Sequence, residues 1–146
     1  MNPEIASFVR AKDVAIVGVS RKKGKFGNVA HDTLKQRGYN LFPVNPEGNF
    51  FGGIGCFRSL EEIPSHVRTA VITTKPESAG TVVADAIRLG FKNLWFQQGG
   101  NYAALAARAR EAGINVITGK CILLYTEPVT GIHSVHKFLS RLFGQW

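Results

Sequence analysis

The sequence predicts an α/β fold: a Rossmann-like, doubly wound, five-stranded parallel sheet with a C-terminal amphipathic helix. Three observations carry this. The 146 residues are the size of one ordinary domain, enough to bury a core and too few for two large lobes. Short apolar, β-branched runs alternate with helical segments of about ten residues that stop at glycine. The first such run, Val14-Ala15-Ile16-Val17-Gly18-Val19-Ser20, opens directly into the glycine-rich, basic stretch Arg21-Lys22-Lys23-Gly24-Lys25-Phe26-Gly27. A buried parallel strand hands over to a phosphate-binding turn and helix in this way, so the pattern points to a nucleotide-like ligand.

The elements follow in order. Pro3 to Arg10 reads as a short helix with Asn2 at the N-cap and Pro3 at the first helical position. Asp13 to Gly18 is the first strand. Asn28 to Arg37 has helical spacing in Val29, Thr33 and Leu34, and Gly38 supplies the stop. Asn40 to Val44 is the second strand, leaving the sheet at Asn45-Pro46. Glu47 to Phe57, rich in glycine and aromatics, is a loop, and a helical turn over Ser59 to Pro64 is capped by Ser59. Thr69 to Thr74 is the third strand. Pro76 opens a helix to Leu89 that turns Val82, Val83, Ala86 and Ile87 to the sheet and closes at Gly90. Asn93 to Phe96 is the fourth strand, Tyr102 to Ala112 an alanine-rich helix stopped by Gly113, and Asn115 to Thr118 the fifth strand.

Composition narrows the function. With 45% hydrophobic and 19% charged residues, the chain reads as a soluble globular domain. It has no apolar run near the roughly 20 residues a membrane span needs. The start, Met1-Asn2-Pro3-Glu4, lacks the pattern of a secretory signal, so a cytoplasmic location is expected. Cys56 and Cys121 are expected as free thiols. The net charge of +8 attracts polyanions in general. Aromatics are not interleaved with the cations and no recognition helix is visible, which argues against nucleic acid. The cluster at Arg21, Lys22, Lys23 and Lys25 fits a phosphorylated small molecule better.

In doubly wound sheets the ligand sits outside the carboxyl ends of the strands, where strand order reverses. The segments just after the strands are therefore the site candidates: Gly18-Val19-Ser20, Val44-Asn45-Pro46, Thr73-Thr74-Lys75-Pro76, Gln97-Gln98-Gly99-Gly100 and Gly119-Lys120-Cys121. Each has a plainer role beside the functional one. Ser20 suits a helix or turn cap as well as a phosphate contact, and Arg21 to Lys25 could be a solvated loop. Thr73 and Thr74 suit a strand by propensity, Gln97 and Gln98 could satisfy loop backbone, and Cys121 could be an inert buried thiol. His133 and His136 could share a metal, but no third ligand is evident and none is expected. No Ser-His-carboxylate set or acid/base pair is visible either, so binding rather than catalysis is the expectation.

Gly18-x-Ser20 with a loop to Gly27, Val44-Asn45-Pro46, a strand ending before Pro76, Leu94-Trp95-Phe96-Gln97-Gln98-Gly99 and Lys120-Cys121-Ile122 together resemble the small CoA-binding domain proteins. That family is similar in turn to the N-terminal domain of the succinyl-CoA synthetase alpha subunit. The resemblance spans about residues 8 to 125. It implies a Rossmann-like domain that binds coenzyme A or an acyl-CoA, with Gly18, Ser20 and Gly27 near the phosphates; Val19 of the same turn and the loop cations Lys22, Lys23 and Lys25 are read as joining them. Asn45, Pro46, Thr73, Thr74, Lys75 and Pro76 would flank the adenosine and pantetheine, with Gln97, Gly99 and Cys121 at the far end of the cleft. It implies binding without catalysis, since the synthetase's phosphorylated histidine belongs to a different domain.

The chain departs from the family pattern twice. Glu47 stands where many relatives carry a basic residue after Val-Asn-Pro, and it or Asn45 could instead hydrogen-bond a ribose hydroxyl, which would favour NAD. The glycine spacing, with Gly24 and Gly27 after Gly18, is not the compact dinucleotide turn, so NAD stays the alternative. A further alternative makes Cys121 a thiol that exchanges disulfides with the ligand or accepts an acyl group. A third reading takes the basic surface as a docking face for a partner. The second departure is the tail. Residues 1–125 read as the CoA-binding domain and 126–146 as a helical extension, with Ile132, Val135, Phe138, Leu139, Leu142 and Phe143 on one face. Packing on the sheet or on a second copy in a homodimer is expected, with membrane-surface binding the alternative.

Overall fold

The computed structural model describes residues 2–20, 25–48 and 55–126. Arg21, Lys22, Lys23 and Gly24, part of the glycine-rich loop, and the expected C-terminal helix with its His133 and His136 lie outside the described residues.

Among the described residues the elements run α1 (Pro3–Arg10), β1 (Asp13–Val17), α2 (Phe26–Gln36), β2 (Asn40–Val44), β3 (Thr69–Ile72), α3 (Pro76–Leu89), β4 (Asn93–Gln97), α4 (Ala103–Glu111) and β5 (Asn115–Lys120). Short 3-10 turns cover Leu60–Glu62 and Ile122–Leu124. All strand pairs are parallel and the order across the sheet is β2-β1-β3-β4-β5. β1, β3 and β4 are buried on both faces, as their continuous apolar runs demand.

Local signals account for the ends. Asn2 caps α1 by accepting from the Glu4 amide at 2.7 Å. Gly90 closes α3 at φ 77°, a left-handed conformation that glycine adopts without a Cβ penalty. α2 starts at Phe26, two residues before the expected Asn28, because the Lys25 carbonyl already accepts from the amides of Asn28 and Val29. β3 ends at Ile72, not Thr74: the Thr73 hydroxyl turns back to donate to the Val17 carbonyl at 2.8 Å. Ser59 makes no side-chain cap. The Glu62 carboxylate serves that turn instead, accepting from the Arg58 amide at 2.9 Å.

Two cores flank the sheet. On one side Val83, Ala86, Phe91, Phe96, Tyr102 and Ala106 pack on Ala70, Ile72, Leu94 and Val116. On the other, Ile5, Phe8, Leu34 and Tyr39 meet Ile16, Val71, Trp95 and Ile117. Phe8 meets Trp95 edge to face with ring centroids 5.1 Å apart, a preferred aromatic geometry. Of the four α3 residues expected on the sheet, Val83 and Ala86 are buried and Val82 and Ile87 partly so.

At the amino ends of the strands, a polar chain crosses three of them. The Asn93 amide donates to Thr69 Oγ1 at 3.1 Å, and the Asn115 amide to Asn93 Oδ1 and to the Glu4 carbonyl, both at 2.9 Å.

Candidate functional site

The reversal of strand order falls between β1 and β3, so the carboxyl ends of these two strands define the crevice. There the backbone is packed to the limit. Gly18 holds φ +115°, and a Cβ on it would stand 2.1 Å from Thr73 Oγ1. A Cβ on Gly27, in the first turn of α2, would stand 2.4 Å from the Gly18 carbonyl oxygen. Glycine at both positions lets β1, α2 and the end of β3 touch through their backbones.

Side chains then lock the turn. Asn28 forms a reciprocal pair with Ser20, accepting from its amide at 2.8 Å and donating to its carbonyl at 2.7 Å. The N-cap position of α2 is held by Lys25, not Ser20. Asn45 donates to the Val19 carbonyl at 2.9 Å and accepts from the Glu47 amide at 2.8 Å. Both ends of its side chain are thus engaged by backbone, tying β2 to the β1 turn. Val19 is buried in the core, while Pro46 and Glu47 are exposed.

Beside this turn lies a cleft of about 240 Å³ lined by Thr73, Thr74, Lys75, Pro76, Gln97, Gln98, Gly99 and Gly100, eight residues of the expected strand-end segments. Phe26 and Tyr102 complete its walls. Among the described residues, Thr74 Oγ1 and Gln97 Nε2 are buried without a close hydrogen-bond partner, and the Gln97 side chain also lies beside the Cys121 thiol. α3 begins at the same place, and its N-cap, Lys75, like Lys25 of α2, provides no side-chain cap. Two helix amino ends, where the macrodipole is positive, therefore carry an added cation each.

The model of the CoA binding domain family matches residues 12–127. The chain belongs to the CoA-binding domain family. This CoA-binding domain is 32% identical over 92 residues to an ADP-forming acetate-CoA ligase of Archaeoglobus fulgidus, covering 62% of the chain and 14% of that protein. It is 26% identical over 142 residues to an ADP-forming acetate-CoA ligase of Methanocaldococcus jannaschii, covering 92% of the chain and 19% of that protein. The chain thus spans a fifth or less of the length of these two relatives. Among solved structures, a conserved hypothetical protein from Pyrococcus furiosus superposes with a TM-score of 0.71 at 33% identity, over 76% of this chain and 96% of that one. No helix among the described residues is long and apolar enough to cross a membrane.

Cys121 of the CoA-binding domain sits apart from the cleft lining. It is 1% exposed, within the core that holds Trp95 and Ile122. Burial pushes its thiol above the ordinary value, outweighing the neighbouring Gln97 side chain, which favours the thiolate. A buried, protonated thiol lacks the access and the thiolate character that disulfide exchange requires. Sequence reasoning missed Asn28 and Tyr102. The Tyr102 hydroxyl donates to the Thr74 carbonyl and its ring lies 4.9 Å from that of Phe96. Burial, and secondarily the Glu77 charge, raise its phenol's pKa. Its position at the start of a helix gave a boundary signal, but nothing local pointed across to β3.

Proposed function

We propose that this domain is a free-standing protein that binds coenzyme A or an acyl-CoA at the carboxyl ends of β1, β3 and β4. The observation that carries the reading is the convergence of the amino ends of α2 and α3 at the β1/β3 reversal, with Lys25 and Lys75 as their N-caps. A cation at the positive end of a helix is unfavourable by itself and becomes favourable once an anion lies against both. Two such ends suit a pyrophosphate. The close-packed Gly18 and Gly27 bring backbone amides near it, and the adjoining cleft has room for part of the ligand's arm. Family membership supports CoA as the pyrophosphate-bearing compound.

The ligase reaction of the longer relatives is not assigned to this chain, which spans 19% of the M. jannaschii enzyme. The P. furiosus structure, covered over 96% of its length, supports a domain of this size on its own. Calorimetric titration with CoA, acetyl-CoA and NAD tests the proposal. Saturable binding of CoA below millimolar concentration, tighter than that of NAD, is expected. Absence of saturable CoA binding, or preference for NAD, refutes it.

A further inference from the structure

The positive charge of the described residues gathers away from the crevice. All five strands are parallel, so each helix that leads into a strand ends at the amino rim, and the last turns there carry Arg10, Lys35, Arg88, Arg108 and Arg110. The turns into β1, β3 and β4 add Lys12, Arg68 and Lys92. Carboxylates at this rim are fewer, and three are engaged locally: Asp85 and Glu61 with Arg88 at 3.2 and 3.6 Å, and Asp13 with His66 at 3.3 Å. A cation in the last turn steadies its own helix, which is reason enough for five of these residues. It does not account for Lys12 and Lys92, which are exposed in turns. Five-residue strands set the rim about 17 Å from the crevice, roughly twice the screening length at physiological salt, so its charge does little for an anion bound there.

The chain passes into its last segment beside this rim. Arg37, the C-cap of α2, donates to the Leu123 carbonyl at 2.8 Å and to Thr126 Oγ1 at 3.0 Å, which holds the start of segment 127–146 near the carboxyl end of α2. The sequence of that segment has no carboxylate after Glu127, carries Lys137 and Arg141, and sets Ile132, Val135, Phe138, Leu139, Leu142 and Phe143 at helical spacing. We propose that the amino rim and segment 127–146 together form a docking surface for an anionic phospholipid bilayer. The segment lies in the headgroup interface as an amphipathic helix, and the rim cations face the lipid headgroups. Such a surface answers both features at once. A nucleic acid offers phosphates to the rim but nothing to six apolar side chains. A second copy covers the apolar side chains but sets two cationic rims against each other. The crevice opens away from the lipid, so the proposal is independent of what binds there.

The test is co-sedimentation of the full chain with vesicles of phosphatidylcholine alone and of phosphatidylcholine with about one-third phosphatidylserine. Binding is expected on the anionic vesicles only, falling about tenfold or more between about 0.1 M and about 0.5 M salt. Lys35→Gln, Lys92→Gln and Arg108→Gln combined should weaken it by about tenfold to a hundredfold, at up to about fivefold per cation. Lys120→Gln, at the other end of β5, should leave it unchanged within about twofold. Phe138→Asp with Phe143→Asp should also abolish binding while leaving the lipid-free Tm unchanged, because the apolar face is spent on lipid and not on the domain. Equal binding to both vesicles, binding to neither, or indifference to the rim variant overturns the proposal. So does a lipid-free Tm that falls in the phenylalanine variant, which shows the segment packed on the domain or on a second copy. A DNA duplex bound more tightly than the anionic vesicles at the same salt overturns the choice of lipid.

Discussion

Replacing Gly18 by alanine strikes the contact on which the crevice is built. At φ +115° an L-residue carries strain of about 1–3 kcal/mol. The new Cβ would lie 2.1 Å from Thr73 Oγ1 and 3.1 Å from the Thr74 amide nitrogen. The hydroxyl is free to swing away, but only by giving up its 2.8 Å bond to the Val17 carbonyl, which costs about 1 kcal/mol. Gly18→Ala should therefore destabilise the fold by about 2–4 kcal/mol, or roughly 5–15 °C in Tm. Thr73→Ala alone loses the same bond and also removes the obstructing atom. In the double variant the clash is gone and the bond is lost once, so its cost should fall short of the sum of the singles by about 1 kcal/mol. Urea denaturation of the four proteins, with unchanged m-values, reads this directly. Strictly additive costs, or a Gly18→Ala protein as stable as its parent, would refute the reasoning.

Asn28→Ala removes the reciprocal pair with Ser20 and should cost about 1–2 kcal/mol by denaturation, with a several-fold loss of CoA affinity by calorimetry. Lys75→Glu should weaken CoA binding by about tenfold in dilute buffer, and repeating the titration at about 0.5 M salt should shrink the difference, since the contact is exposed and screened. Burial raises the Cys121 thiol above 9.0 and the phenols of Tyr39 and Tyr102 above 10.0. The unfolded chain ionises first, so the stability these groups contribute is complete below those values and is lost as pH rises through them and beyond. Tm should fall between about pH 8 and pH 11, with Cys121→Ala removing the earliest part of the fall; a flat profile would contradict the burial.

Much of the scaffold was legible because its signals are local. The apolar runs of β1, β3 and β4, the glycine stops at Gly90 and Gly113 and the Asn2 cap each depend on neighbours within a few residues. The rule that ligands gather at strand ends selected eight of the residues that line the cleft, Thr73 to Pro76 and Gln97 to Gly100. What stayed hidden is what the folded chain brings together. Asn45 is expected beside the ligand, with a ribose bond as one alternative for it or Glu47; its side chain also accepts locally from the Glu47 amide and donates to the Val19 carbonyl, a bond that exists only once β2 lies beside β1. Tyr102 reaches Thr74 from 28 residues away. Periodicity reports which face of an element is buried, not which distant backbone a polar group will find. Cys121 ends a strand near the cleft, and only the packing of Trp95 and Ile122 around it shows the thiol turned into the core.

The Thr69, Asn93 and Asn115 chain at the amino rim has a further meaning. A strand that slips by one residue turns all its side chains to the wrong face, so pegs shared by three strands set their alignment. With alignment secured at that rim, the opposite rim is relieved of it. Apart from the close-packed Gly18 and Gly27, loops there can change length, charge or sequence without misaligning the apolar layers beneath.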